Sequence, residues 1–283
     1  MNGVVPFMKQ RNRSQEHRAK RSAARSVPLP SVGARRALCA FVFLLSMFAL
    51  AASLHAEMTI ATVGDSLADA VYLGIKSQPQ LVKENQIHLI RWSRPSIGLT
   101  RVDFFDYPAW LRTSKDLGRV DFCVVELGAN DLQSISLGPL KWTAVGTERW
   151  QQIYQQRQEQ MMATLKTDRC AEVVWLLQPG YEQNKYLRQY HQMINSVQLT
   201  GLQSSGTAAF EITAEPGDYT PDGIHFNGPF ALRLGQAVVK VFAYWKQHVQ
   251  SCSGCHMTTT YSEFVPKQFA PLILRTAGHA SQP

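Results

Sequence analysis

Short apolar strands alternating with amphipathic helices predict an α/β fold, with a mostly parallel, five-stranded sheet covered by helices on both faces. Two observations carry that prediction. Apolar, β-branched runs recur along the chain, most of them cut off by glycine or a proline–glycine pair, with helical spacing between them. The residues able to do chemistry sit directly after those runs, and in open parallel sheets the functional loops gather at the carboxyl ends of the strands.

The elements follow in order. Met58 to Val63 is apolar and β-branched and stops at Gly64, so it reads as a buried strand. Leu67 to Lys76 then places Leu67, Val71 and Ile75 on one helical face. Ile87 to Trp92 is a second strand, followed by a turn-rich stretch, Ser93 to Thr100. Val120 to Leu127 is a third strand ending at Gly128, and Thr147 to Thr167 is a long Gln-rich helix. Glu172 to Leu177 is a fourth strand closed by Pro179-Gly180. Tyr186 to Leu199 reads as a helix, Thr207 to Thr213 as a fifth strand, and Pro229 to Gln250 as a closing amphipathic helix.

The first 56 residues bear on location. Met1 to Arg36 carries nine basic residues and one acid, Glu16; residues 37–54 are apolar and uncharged, and small residues cluster at Ala51, Ala52, Ser53 and Ala56. That is the order of an export signal, with cleavage expected after Ala56, or else after Ser53. The apolar run also has about the length of a short transmembrane helix, so an uncleaved inner-membrane anchor through residues 37–54 is the alternative. Arg35-Arg36 is a weak twin-arginine feature. Both readings put the domain outside the cytoplasm, in the periplasm or beyond. The leader also holds the charge imbalance. Of 29 Lys and Arg and 21 Asp and Glu, 20 of each remain after Glu57 is reached. A nucleic-acid partner, which calls for a basic patch on the folded part, is therefore not expected. The remainder reads as one domain over residues 57–250 with a C-terminal tail over 251–283.

Four islands carry chemistry: Gly64-Asp65-Ser66-Leu67, Gly98, Gly128-Ala129-Asn130-Asp131 and Asp222-Gly223-Ile224-His225. Ser66, at a strand-to-helix junction, is expected to expose its hydroxyl, with helix-start amides that would favour a developing negative charge. A serine hydroxyl needs a base, and His225 is the candidate. Asp222, three residues earlier, can bind the other ring nitrogen and fix the tautomer. A tetrahedral oxyanion needs donors, for which the candidates are the Ser66 amide, the Gly98 amide and the Asn130 side chain. Taken singly, Gly-Asp-Ser is a turn followed by a helix cap, Gly128 and Asn130 are turn residues, and Asp222-Gly223 is a common turn pair. Their conjunction after successive strands points to a serine hydrolase or acyl transferase.

In this order the islands resemble the four blocks of the SGNH/GDSL hydrolase family, over roughly residues 59–234. Ser66 matches the family's serine, Gly98 its oxyanion glycine, Asn130 its oxyanion asparagine, and Asp222 with His225 its last block. The stretch Ser93 to Asp106 is similar to a poorly characterised exported bacterial branch. The resemblance implies a three-layer, flavodoxin-like α/β/α sandwich and cleavage of acyl esters without a cofactor. Together with location it implies an acylated small molecule or glycan as substrate, most simply an O-acetyl group on a cell-envelope glycan. An acyltransferase using the same triad, or an envelope-binding protein without turnover, are the competing readings.

Other residues receive structural readings. Asp65 and Asp131 organise their loops. Tyr107, Trp110, Trp150 and Tyr154 fit a core better than a binding cleft, and Arg94 and Arg101 read as solvated surface. Cys123 and Cys170 read as small buried hydrophobes. Cys252-Ser-Gly-Cys255-His256 has the form of a haem-attachment sequence, and His248 adds a candidate metal ligand; a disulfide or free thiols in a tail is the preferred reading. No catalytic-metal cluster of the His-Glu-x-x-His kind and no Gly-rich phosphate loop with Lys is present, so no cofactor is expected.

Overall fold

A computed structural model describes residues 57–181, 184–248 and 270–275. The leader over 1–56, with its cleavage and anchor readings, and the Cys252–His256 motif lie outside the described residues. No helix among the described residues is long and apolar enough to cross a membrane.

Strands β1 (Met58–Gly64), β2 (Ile87–Arg91), β3 (Val120–Glu126), β6 (Cys170–Leu177) and β7 (Ala208–Ile212) form a parallel sheet in the order β2-β1-β3-β6-β7. Counted among themselves these strands run 2-1-3-4-5, the flavodoxin-like order. Ile60, Val63, Val124, Val125, Trp175, Leu176 and Phe210 are buried along them, as a sheet covered on both faces demands. Helices α1 (Ser66–Lys76) and α6 (Gly228–His248) pack together on one face. On the other lie α3 (Tyr107–Thr113), α4 (Glu148–Thr164) and α5 (Lys185–Ser204). The fold is a three-layer α/β/α sandwich. The sheet order reverses direction between β1 and β3, and ligands in such sheets bind in the crevice outside the strand ends at that point.

The structure departs from the sequence expectations in four places. A sixth strand, β8 (Leu272–Arg275), pairs antiparallel with β7, so residues assigned to the tail complete the sheet edge. Its four residues are too few for a period. Helices α2 (Pro79–Glu84) and α3, and the hairpin of β4 (Ile135–Gly138) and β5 (Lys141–Thr143), went unassigned for the same reason. Helix α5 runs to Ser204, beyond the expected Leu199. Finally, Cys123 and Cys170 are joined as a disulfide between β3 and β6, rather than lying as separate buried thiols. Their pairing depends on which strands become neighbours, which no local pattern encodes. Tyr107, Trp150 and Tyr154 are fully buried, as a core reading requires.

Candidate active site

At the end of β1 the chain must turn sharply against β3. Gly64 pairs with Glu126 in the ladder and has φ +136°, and a Cβ there would stand 1.7 Å from the Glu126 carbonyl oxygen. Only glycine permits that approach. Asp65 then caps α1, its Oδ1 accepting from the Leu67 amide at 2.9 Å. Ser66 thereby becomes the first residue of α1, with its amide among those that no intrahelical carbonyl satisfies.

The second part of the site comes from the loop before α6. Tyr219 and Phe226 form an antiparallel bridge, and between them the Thr220 amide donates to the His225 carbonyl at 2.7 Å. The Asp222 carboxylate organises this loop: Oδ1 accepts from the Thr220 hydroxyl (2.7 Å), the Ile224 amide (2.8 Å) and the His225 amide (3.0 Å). Its Oδ2 lies 2.7 Å from His225 Nδ1, and His225 Nε2 lies 3.0 Å from Ser66 Oγ. Partial desolvation of the Asp222 carboxyl acts upward, but the bonds from the His225 ring, the two amides and the Thr220 hydroxyl outweigh it and hold the group well below the usual carboxylate range. The side chains of His225 and Asp222 are 47% and 46% exposed, so the site opens to solvent.

The third part follows β3. Asn130 Nδ2 donates to Asp65 Oδ2 at 3.2 Å, which sets the Asn130 amide beside the start of α1. Asp131, fully buried, ties this loop to the one carrying Gly98. Its Oδ1 accepts from the Thr100 amide (2.9 Å) and hydroxyl (3.1 Å), and its Oδ2 from the Tyr154 hydroxyl (3.0 Å). A Cβ on Gly98 would lie 2.1 Å from Asp131 Oδ1, so a side chain there would break the junction. Burial pushes the Asp131 carboxyl up to about 6, against the lowering effect of the Thr100 amide and the Tyr154 hydroxyl. Asp65 is likewise raised to about 6 by burial, opposed by the Leu67 amide, Glu126, the Gly128 amide and Asn130.

The structure thus brings Ser66, Asn130, Asp222 and His225 to one edge of the sheet, with Gly98 against Asp131. Asp65 and Asp131 are the loop organisers expected of them. Arg94 stacks over Phe105 (4.2 Å to the ring centre) and Arg101 pairs with Asp103 at 2.9 Å. Sequence reasoning missed Thr220 in the Asp222 loop and, in the layer below, Glu126, Gln178 and Gln198, whose Nε2 donates to the Tyr154 hydroxyl at 2.9 Å. One signal was available for Glu126, an acid directly after the apolar run Phe122 to Val125. Among the described residues no group of His, Cys, Asp and Glu is arranged to hold a metal ion.

Residues 59–234 match a family described as "Protein of unknown function (DUF459)". No curated protein matches the chain. Similar solved structures include an acetylxylan esterase from Geobacillus stearothermophilus, with 11% identity, TM-score 0.48, and coverage of 66% of this chain and 95% of that one. An α/β hydrolase enzyme from the metagenome of Lake Arreo, Spain, has 12% identity and TM-score 0.49, covering 69% and 98%. A carbohydrate acetylesterase from Sinorhizobium meliloti has 13% identity and TM-score 0.45, covering 66% and 99%.

Proposed function

The chain belongs to the DUF459 family of proteins of unknown function, an SGNH-like family, and from that premise we propose that it is an exported serine esterase cleaving O-acyl, chiefly O-acetyl, esters on a cell-envelope glycan. The observation that carries the chemistry is the continuous line Ser66 Oγ–His225 Nε2 (3.0 Å) and His225 Nδ1–Asp222 Oδ2 (2.7 Å).

In the forward step Ser66 Oγ attacks the ester carbonyl while His225 Nε2 takes its proton. Asp222 keeps the Nδ1 proton facing itself, so Nε2 is free to accept, and the carboxylate stabilises the imidazolium that results. The carbonyl oxygen becomes an oxyanion received by the Ser66 and Gly98 amides and Asn130 Nδ2. As the tetrahedral intermediate collapses, its bond to the sugar oxygen breaks, the imidazolium protonates that oxygen so that the sugar leaves with a free hydroxyl, and the acyl group stays on Ser66. Water then repeats the sequence, regenerating Ser66 and releasing the acid. The half-exposed His225 and Asp222 suit a bulky glycan carrying the ester. The same openness admits a second sugar hydroxyl in place of water, which makes acyl transfer the alternative outcome of one acyl-enzyme. Export draws support from the Cys123–Cys170 disulfide, since such bonds persist in oxidising compartments.

The test is Ser66→Ala in the purified protein. Hydrolysis of p-nitrophenyl acetate and labelling by a fluorophosphonate probe should both vanish; undiminished activity defeats the mechanism. Mass spectrometry of acetylated glycans incubated with and without a second glycan acceptor separates hydrolysis from transfer.

A further inference from the structure

Directly beneath the Ser66–Asn130 corner two carboxyl groups meet inside the protein. Glu126, the last residue of β3, and Asp65, the cap of α1, are both fully buried. Glu126 Oε1 accepts from Gln178 Nε2 at 2.7 Å. The direction of that bond is fixed, because the Tyr181 hydroxyl donates to Gln178 Oε1 and so assigns the amide nitrogen to Glu126. Among the described residues Glu126 Oε2 receives no N–H or O–H donor, although it is buried and its carboxyl faces Asp65. A buried carboxylate oxygen with no donor, set against a second carboxyl, is an arrangement that two ionised groups do not sustain. One proton has to lie between them.

The surrounding donors decide where it sits. Asp65 accepts from the Leu67 amide, the Gly128 amide and Asn130 Nδ2. Among the described residues Glu126 has Gln178 alone as a donor. Hydrogen bonds to the anion stabilise the anion, so Asp65 is the ionised partner. We propose that Glu126 is a positioning residue of the esterase site: held as the neutral acid, it donates a hydrogen bond to Asp65 and so fixes the carboxylate that caps α1 at Ser66 and anchors the Asn130 amide.

The other groups around the pair reinforce this. Asp131 from the loop after β3 adds negative charge, and the phenols of Tyr181 after β6, Tyr154 on α4 and Tyr107 on α3 are buried nearby. Among the described residues no Lys, Arg or His is hydrogen-bonded to either carboxyl. Burial and the Asp65 charge push Glu126 well above the usual carboxylate range, whereas Asp65 reaches only about 6. The consequence for catalysis is electrostatic. A single shared charge behind the oxyanion donors is already balanced by the start of α1 and the Asn130 amide. A second one would oppose the oxyanion that Ser66 must form.

This role rests on the esterase reading, and the experiment separates the two. Full-chain Glu126→Gln and Glu126→Leu are compared with wild type on p-nitrophenyl acetate, alongside infrared spectra at pH 8. The glutamine amide keeps both bonds, accepting from Gln178 and donating to Asp65; leucine keeps neither. Glu126→Leu should lower kcat roughly 10- to 100-fold at little-changed KM, and Glu126→Gln should restore it to within about threefold. The carbonyl stretch of a protonated, buried carboxylic acid should be present in wild type and in Ser66→Ala, and absent from Glu126→Gln. A Glu126→Gln enzyme as slow as Glu126→Leu, or a wild-type spectrum without that band, overturns the assignment. Should Glu126→Leu fail to fold, Glu126→Gln and the infrared band still decide. A wild-type chain that neither hydrolyses esters nor takes the fluorophosphonate probe overturns the esterase reading instead, while the band continues to report on the proton.

Discussion

Replacing Asp222 by asparagine isolates the electronic part of the proposed triad, because it leaves the loop's architecture standing. In the native loop Asp222 Oδ1 holds three donors, the Thr220 hydroxyl and the Ile224 and His225 amides, and the asparagine carbonyl can hold the same three. The change falls on the other atom. Where Oδ2 meets His225 Nδ1 at 2.7 Å, the variant presents an N–H donor. Two donors cannot face each other, so the imidazole moves its proton to Nε2, the nitrogen that has to accept from Ser66 at 3.0 Å. The variant also loses the charge that stabilises the imidazolium. At about 4 Å between charge centres that attraction is worth roughly 1 kcal/mol in water and about 4 kcal/mol at an effective dielectric constant near 20. The half-exposed pair belongs between those limits. With the tautomer inversion added, the expected fall in kcat/KM is about 10²- to 10⁴-fold, or roughly 3 to 5.5 kcal/mol of barrier. The assay is hydrolysis of p-nitrophenyl acetate, with a thermal melt to show that the loop survives. A melting temperature within about 2 °C of wild type is expected, since no loop bond is lost. An intact Asp222→Asn protein retaining more than a tenth of wild-type kcat/KM refutes the triad as drawn.

Three further outcomes are expected. Asn130→Ala removes an oxyanion donor and should lower kcat about 10²- to 10³-fold at similar KM, an effect absent if the amide serves only Asp65. Gly64→Ala drives a methyl group onto the Glu126 carbonyl at a positive φ; it should cost about 3–5 kcal/mol and a melting temperature lowered by roughly 10 °C. Gly118→Ala, which meets open space, should be neutral. The third concerns pH. Asp65 and Asp131 are raised to about 6 and Glu126 further, so the folded state holds these protons more tightly than the unfolded chain. The aspartates' contribution is therefore present at acid pH and lost as pH rises through about 6, while that of Glu126, raised further, goes on falling above it. It amounts to about 1 kcal/mol for each aspartate between pH 5 and pH 8. Asp222, depressed instead, keeps its contribution throughout that window. Calorimetry should show a melting temperature falling by several degrees from pH 5 to pH 8, with a shallower fall in Asp131→Asn; a flat or rising curve counts against the buried acid cluster.

Much of this molecule was legible one element at a time. Apolar runs ending at Gly64 and Gly128, and the 3.6-residue spacing of Leu67, Val71 and Ile75, are local consequences of a buried strand and a half-buried helix. They state a parallel sheet without reference to any distant residue. Ser66, Asn130, Asp222 and His225 were recoverable because each carries a functional group and follows an element whose end could be located. Gly98 has no side chain to betray it; what marks it in space is the Asp131 carboxyl that leaves no room for a Cβ.

What tertiary structure alone decided has a common physical reason. The pairing of Cys123 with Cys170, the addition of β8 to β7, and the meeting of Glu126 with Asp65 all join segments far apart in the chain. Local sequence records propensity and period, and neither specifies which strands lie side by side. Once β1 lies against β3, the carboxyls at their ends share one buried volume with no cation hydrogen-bonded to either among the described residues, and an acid inside a strand becomes the proposed holder of a proton under the candidate active site. The residue types at the site were written in the sequence. The 3.0 Å between Ser66 and His225, 159 residues apart, was settled only by the order of the sheet.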